Sequence, residues 1–468
     1  MNLKYIEKLE YSTILDKLSE FCTTDYGKNL CRSLLPSSNK QKVSNLLEET
    51  SEAIRLLSEK ELSFGNIKPI DYCLKILNSN GVLNLEMILQ LTQVLKTSAF
   101  LKDSFYTDHD TSNFPICETY FSKLYYNPSM IKAVENAIVD ENTISDTASS
   151  KLSSLRKEMK KLEDEIREKL NHFLHSPHSS KYIQESIITM RNNRYVIPIK
   201  EEYRGMVKGF LHDISTSGST VFIEPMSVFE LNNQLHVLQL EEVIEIEHIL
   251  QELSLLFSPY IAQLEEDYIT IGTIDFVFAK AKYALFLNAI KPRINDEKYI
   301  SLVGARHPLI EKDSMVPLTI EIGKSFCSLI ITGPNTGGKT VSLKTTGLLC
   351  LMACSGLFIP AKEESSIYVF DQYFADIGDE QSIVESLSTF SSHMSHIVHI
   401  LEESTSESLV LLDELGSGTD PIEGSSLAIS ILETLSKHHT LCISTSHYTE
   451  LKNYALVTDG FENASVRV

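Results

Sequence analysis

The apolar positions of this chain change period along its length, and each change predicts a different kind of element. Up to about residue 130 they recur at helical spacing between polar connectors. Ile14, Leu18 and Phe21 share one face, and Leu46, Leu47, Ala53, Ile54 and Leu57 share another. The pattern predicts packing and no chemistry, a helical core over 1–143. Further on, Leu152, Leu155, Met159, Leu162, Ile166, Leu170 and Phe173 stand 3, 4, 3, 4, 4 and 3 apart, with Lys, Arg and Glu filling most positions between them. That is a coiled-coil-like stripe on one long helix within 144–180, ~45 Å if unbroken from Asp146 to His175. Pro177 ends it.

A second long helix is predicted from about Leu231 to Phe257, in a segment taken as 229–296, on Leu235, Leu238, Ile246, Ile249, Leu250 and Leu253. Its stripe is imperfect, because Glu242 falls where an apolar residue is due, with Val243 beside it. The two helices read either as an antiparallel pair bearing a small domain at its tip or as ordinary bundle helices. The insert between them, 181–228, alternates like β structure. Ile187–Met190 and Tyr195–Ile199 flank an Asn192-Asn193 turn, and Thr220–Ile223 follows a Ser/Gly-rich turn around Gly218. After a helical segment, Thr273 to Ile290, apolar runs alternate with helical patterns over 297–468, which predicts an α/β domain with a largely parallel sheet.

Composition adds limits. The 468 residues are enough for roughly three ordinary domains. Apolar content of 43% and charged content of 22% are those of a globular protein. A formal charge of −21 excludes a surface that is basic throughout, so any nucleic-acid contact must be local. Between 181 and 208, Lys181, Arg191, Arg194, Lys200, Arg204 and Lys208 face only Glu185, Glu201 and Glu202. Such a module either grips a phosphate backbone or is a solvated basic face. The eight cysteines are scattered without metal-like pairing, as in a reducing cytosol. The charged start, Met1 to Glu7, is unlike a signal peptide, and the apolar run 345–360 is too short to span a bilayer. A cytoplasmic protein without membrane contact is expected.

The chemistry concentrates in the last domain. Gly333-Pro334-Asn335-Thr336-Gly337-Gly338-Lys339-Thr340 fits the phosphate-loop pattern, behind an apolar strand and ahead of a helix from Val341 to Ser355. In that context backbone N–H groups and a helix N-terminus converge on a polyphosphate, Lys339 reaches it, and the Thr340 hydroxyl holds Mg²⁺. The chain is therefore expected to bind ATP with Mg²⁺. Leu409–Leu412 is a buried strand ending in Asp413 and Glu414, one suited to placing Mg²⁺ and the other to polarising the attacking water. Cys442–Ser446 is a strand ending in His447, where a histidine can sense the γ-phosphate as in ABC-type ATPases. Ser388 reads as the N-cap of a second anion-binding helix, which suggests a nucleotide completed by a partner subunit.

In order and spacing, TGPNTGGKT at 332–340, ADIGDEQSIVESLSTFSSHM at 375–394, LLDELGSGTDP at 411–421 and TSHYTEL at 445–451 resemble the MutS family. RNNRYVIPIK at 191–200, FIEP at 222–225, ELNN at 230–233 and ARHPL at 305–309 are similar to its second bacterial branch, the recombination-suppressing and ribosome-associated paralogue. The resemblance covers essentially the whole chain. It implies a helical core, long lever helices, a clamp made by the β insert, and an ABC-type ATPase domain that works as a homodimer.

By the same resemblance, Gly338, Lys339, Thr340 and Asn335 bind phosphate and Mg²⁺. Asp413 and Glu414 are the Mg²⁺ and catalytic carboxylates, His447 is the switch, and Ser388 acts on the other subunit's γ-phosphate. Gln381 corresponds to the loop that links nucleotide state to the levers. The implied function is an ATP-hydrolysing clamp on branched or recombining DNA, or on stalled or collided ribosomes and their rRNA. Phe222-Ile223-Glu224 is a chance likeness to the mismatch-reading motif, so mismatch recognition is not expected. The family's pattern continues beyond Val468, which implies an ATPase domain incomplete at its C-terminus and no nuclease domain, so endonuclease activity is not expected from this chain. The alternative is a nucleotide-binding scaffold without turnover. A chromosome-maintenance ATPase requires an LSGGQ-like run, where this chain has Leu387-Ser388-Thr389-Phe390.

Overall fold

The computed structural model describes residues 3–59, 62–108, 110–311, 316–333, 338–378 and 389–466. They form two compact units. One joins Met1–Pro69, Phe100–Leu124 and Glu266–Val468, and the other joins Ile70–Ala99 and Tyr125–Glu265. The division does not follow the sequence boundaries, which make 1–143 a core of its own. An amphipathic stripe shows that a face is buried but not against what. Here Leu9, Ile14, Leu18, Val43 and Leu47 share one core with Leu343 and Leu348–Cys354.

The first unit is organised by a five-stranded, all-parallel sheet. Its order is Gln372–Asp376, Ser408–Leu412, Leu441–Ser446, Ser328–Thr332 and Phe461–Ser465. Ser408–Leu412 and Leu441–Ser446 are buried at every position, the expected signature of parallel strands covered on both faces. The helix Lys339–Cys354 lies in this core. A side chain at Gly347 would clash with Leu411 at 2.5 Å and Leu9 at 2.9 Å, so glycine is what lets strand and helices close together. The apolar run 345–360 is accordingly core, and no helix among the described residues is long and apolar enough to cross a membrane. A second, mixed sheet joins Arg293–Ile294, Ser366–Ile367, Ile300–Ala305 and Leu318–Ile322.

The second unit holds the helices Ser150–Leu174 and Met226–Phe257. Ser149 caps the first by accepting from the Leu152 N–H, and its hydroxyl donates to Glu245 at 2.7 Å. Arg156 donates to Glu242 at 2.7 Å, while Ile166, Leu170 and Leu174 pack with Val228 and Leu235. These pairings run in opposite directions along the two helices, which are therefore antiparallel. They also explain the break in the second stripe. Glu242 stands at an apolar position because Arg156 of the facing helix reaches it, and the same guanidinium binds Asp146.

Between the helices lies a four-stranded antiparallel sheet ordered Thr189–Arg191, Arg194–Lys200, Thr220–Pro225 and Gly209–Ile214. Asn192 and Asn193 turn the first hairpin with φ of 52° and 60°, the left-handed pair that suits the twist of a two-residue turn. The strand Gly209–Ile214 has no counterpart in the sequence reading. It is an edge strand with mostly exposed side chains, so it lacks the buried alternation that reveals a strand. Gly209 is required there, because a Cβ would stand 2.2 Å from the Glu224 carbonyl oxygen.

Candidate nucleotide site and the basic insert

The parallel sheet brings its chemistry to one edge. Open α/β sheets bind ligands outside the carboxyl ends of their strands, and here those ends deliver Gly333, Asp413 and His447. Gly333 (φ 137°) leaves the first strand and Gly338 (φ 78°) enters the helix, both in backbone conformations that L side chains resist. Lys339 is buried, and its Nζ donates to the Gly333 carbonyl at 2.7 Å, which holds the ammonium at the end of the strand. Pro334, Asn335, Thr336 and Gly337 lie outside the described residues, as do Ser388 and Gln381.

Thr340 donates from Oγ1 to Asp413 Oδ2 at 2.7 Å, and the other oxygen of Asp413 accepts from Thr445 Oγ1. Thr445 Oγ1 in turn accepts from the Glu414 N–H at 2.8 Å. One hydroxyl thus fixes both adjacent carboxylate residues. Glu414 has φ 49°, uncommon for a residue with a Cβ, and this turns it out of the strand direction. Gly416 and Gly418 (φ 86° each) continue the turn, and Tyr448 donates to the Gly416 carbonyl at 2.9 Å. His447 is exposed at its strand end, with its ring 4.4 Å from that of Tyr448.

The donor set fits a hard divalent cation. Thr340 Oγ1 and Asp413 Oδ2 are neighbouring oxygens of the kind that would hold Mg²⁺, which would there neutralise phosphate charge. Sequence reasoning missed Thr445. The available signal was a strand whose Ser444, Thr445 and Ser446 are polar yet fully buried, which an apolar strand core does not require.

The family pattern described as MutS domain V matches residues 329–468, the segment that carries these groups. The whole chain is also similar to proteins named Endonuclease MutS2. It is 44% identical over 467 residues to that of Alkaliphilus metalliredigens (strain QYMF), covering 100% of this chain and 59% of the relative. For Geobacillus sp. (strain WCH70) the figures are 45% over 468 residues, 100% and 60%. For Clostridioides difficile (strain 630) they are 43% over 472 residues, 100% and 59%. The chain carries the MutS domain V pattern over 329–468 and is MutS2-like along its length. It spans about three fifths of the length of these relatives.

Next to Asp413 in the MutS-type sheet stands Asp376, whose carbonyl accepts the Asp413 N–H at 2.9 Å. Its carboxylate is nearly buried and receives His393 Nδ1 at 2.7 Å, Lys8 Nζ at 3.3 Å and His396 Nδ1 at 3.4 Å. Burial pushes its pKa upward. The His393 hydrogen bond, the charges of His393 and Lys8, and the Lys8 hydrogen bond outweigh that and hold it below the ordinary aspartate value. The thiols of Cys350 and Cys354 are buried, and burial raises their pKa values, as expected of core cysteines.

In the insert of this MutS2-like chain, Arg194 is engaged within the fold. Its guanidinium turns inward, donating to Glu224 at 2.8 Å and to Asn233 at 2.6 Å. Glu224 is fully buried and also receives His212 at 2.6 Å and Asn232 at 2.8 Å. Asn232 clasps both the N–H and the carbonyl of Tyr195 at 3.2 Å, locking the helix to the sheet. Three separate sequence blocks, 191–200, 222–225 and 230–233, therefore meet in one polar network. A buried carboxylate demands such partners, and Arg194 is one of them.

Arg191 is also engaged, with Asp213 at 3.1 Å and the Phe222 ring centroid at 4.2 Å. Arg204 makes an exposed contact with Glu201 at 3.9 Å, which holds it weakly. Lys208 is exposed and Lys200 half-buried.

Proposed function

We propose that this chain forms the ATP-binding and nucleic-acid-gripping part of a MutS-type clamp that hydrolyses ATP to change its grip. One observation carries the reading: a single hydroxyl, Thr445 Oγ1, aligns the carboxylate of Asp413 and the backbone of Glu414 beside the Thr340 hydroxyl. In this reading Lys339 and the N–H groups at the start of its helix bind the triphosphate of ATP. Mg²⁺ held by Thr340 and Asp413 supplies charge neutralisation on the phosphate oxygens. Glu414 orients water for attack, and His447 reports on the terminal phosphate. Ser388 of a second copy completes the site, which makes hydrolysis a property of the homodimer. The paired helices then act as levers, and the insert, through Lys200, Lys208, Arg204 and the outer face of Arg191, as the clamp on phosphate backbone.

The client is branched or recombining DNA, or the rRNA of a stalled ribosome, and the cytoplasm is the place where both are met. Glu414→Gln decides the reading. Steady-state turnover should fall about 10²–10⁴-fold, the range for losing a general base, while the Kd for ATP stays within about twofold. Equal turnover in Glu414→Gln and wild type overturns the assignment. ATP binding with no turnover in either protein identifies a nucleotide-binding scaffold instead.

A further inference from the structure

Residues 4–11 lie far in sequence from the nucleotide site, yet they touch several elements that build it. Tyr5 is buried with its ring edge-on to Phe374, the centroids 5.3 Å apart, on the strand next to that of Asp413. Lys8 binds the Asp376 carboxylate at the end of that strand. Lys4 Nζ lies 2.9 Å from His396 Nε2 on the helix Thr389–Glu403. Leu9 is fully buried against Gly347, in the middle of the helix that follows the phosphate loop. Glu10 accepts from Lys344 at 2.9 Å on that same helix, and the Tyr11 hydroxyl meets Ser355 Oγ just beyond its end.

Each contact taken singly is ordinary packing. Together they tie the phosphate-loop helix, the Asp376 strand and the helix Thr389–Glu403 to one short segment. Asp376 is the junction. Its carbonyl holds the Asp413 N–H, and its carboxylate is shared by Lys8 from the segment and by His393 and His396 from the helix. A shift of Asp376 is therefore transmitted to Asp413 through a backbone hydrogen bond, with no flexible side chain between them.

We infer that residues 4–11 are a strap of the ATP site, in which Lys8 and Asp376 are positioning residues that set Asp413 and the helix Thr389–Glu403 for hydrolysis. Neither residue touches the nucleotide in this account. The inference rests on the ATPase reading above for its effect on turnover, while the mechanical tie stands on the contacts themselves. Lys8 retains some exposure, so its truncation removes the ion pair without opening the core.

The test compares Lys8→Ala, Lys8→Arg and Asp376→Asn with Glu414→Gln in the full chain. Two quantities are read, kcat against the Kd for ATP, and amide exchange across 393–403. Lys8→Ala should lower kcat about tenfold or more, because small misplacements of catalytic groups are costly. The Kd should stay within about twofold, exchange in 393–403 should quicken, and Lys8→Arg should restore both kcat and exchange. Asp376→Asn should act in the same direction as Lys8→Ala.

Unchanged kcat and unchanged exchange in Lys8→Ala overturn the strap. Parallel loss of binding and turnover, without rescue by arginine, also overturns it, because that is the mark of general destabilisation. If the wild-type chain shows no turnover, the ATPase reading has failed, and the exchange comparison alone decides whether the strap exists.

Discussion

The nucleotide site and the β insert both hold charged residues that a sequence reader assigns to phosphate, but the two regions use them differently. At the sheet edge, among the described residues, Lys339 is held through the carbonyl oxygens of Gly333 and Ser446, and Thr340 and Asp413 pair with each other through atoms that can also ligate a cation. In the insert, Arg194 spends its guanidinium on a fully buried carboxylate, and Arg191 is divided between Asp213 and the face of Phe222. Local excess of positive charge is thus a poor guide to a phosphate surface. What decides is whether the counter-charge is already supplied within the fold.

The largest expected effect that sharpens this contrast is in the insert. Glu224→Ala removes the shared partner of Arg194, His212 and Asn232 and leaves their donors without their buried counter-charge. Breaking a buried pair on one side costs about 3–5 kcal/mol. Urea unfolding followed by amide exchange over 189–235 should show that loss confined to the second unit, with ATP affinity unchanged. Wild-type protection across 189–235 would mean that Arg194 is free for a ligand after all.

A smaller effect is expected at the sheet edge. Thr445→Val keeps the shape but strips the hydroxyl from Asp413 and Glu414, and kcat should drop about tenfold, the equivalent of one well-placed hydrogen bond to a charged group. Thermal stability should shift little, and an unchanged kcat would break the argument that Thr445 aligns the carboxylates. The subtlest effect concerns the residues left outward. Lys200→Glu with Lys208→Glu should flatten the dependence of log Kd for nucleic acid on log salt by about two phosphate contacts. A slope equal to wild type would remove the insert's lysines from the nucleic-acid surface.

What the sequence makes legible divides along physical lines. The phosphate loop, its strand and its helix are contiguous, so periodicity and glycine spacing reveal them together. The Asn192-Asn193 hairpin is equally local. Thr445, Asp376 and Lys8 escape notice because their roles arise only when distant strands and the first helix are set side by side. Glu242 looks like a flaw in an apolar stripe until Arg156 is brought opposite. The N-terminal helices are correctly read as amphipathic, but the same stripe suits a separate core or a cover for the parallel sheet, and the first of them share the sheet's core. Arg194 is the instructive case. Its charge is visible in the sequence, and the buried partner 30 residues away is not.

Glu414 carries one more consequence. A side chain held with φ 49° sits where glycine and asparagine rest more easily, at a cost of about 1–2 kcal/mol for other residues. Selection for heat tolerance alone, in a screened library, would therefore drift toward glycine or asparagine at this position and reward the loss of the proposed base. Any engineering programme on this scaffold has to hold residue 414 fixed and seek its gains elsewhere.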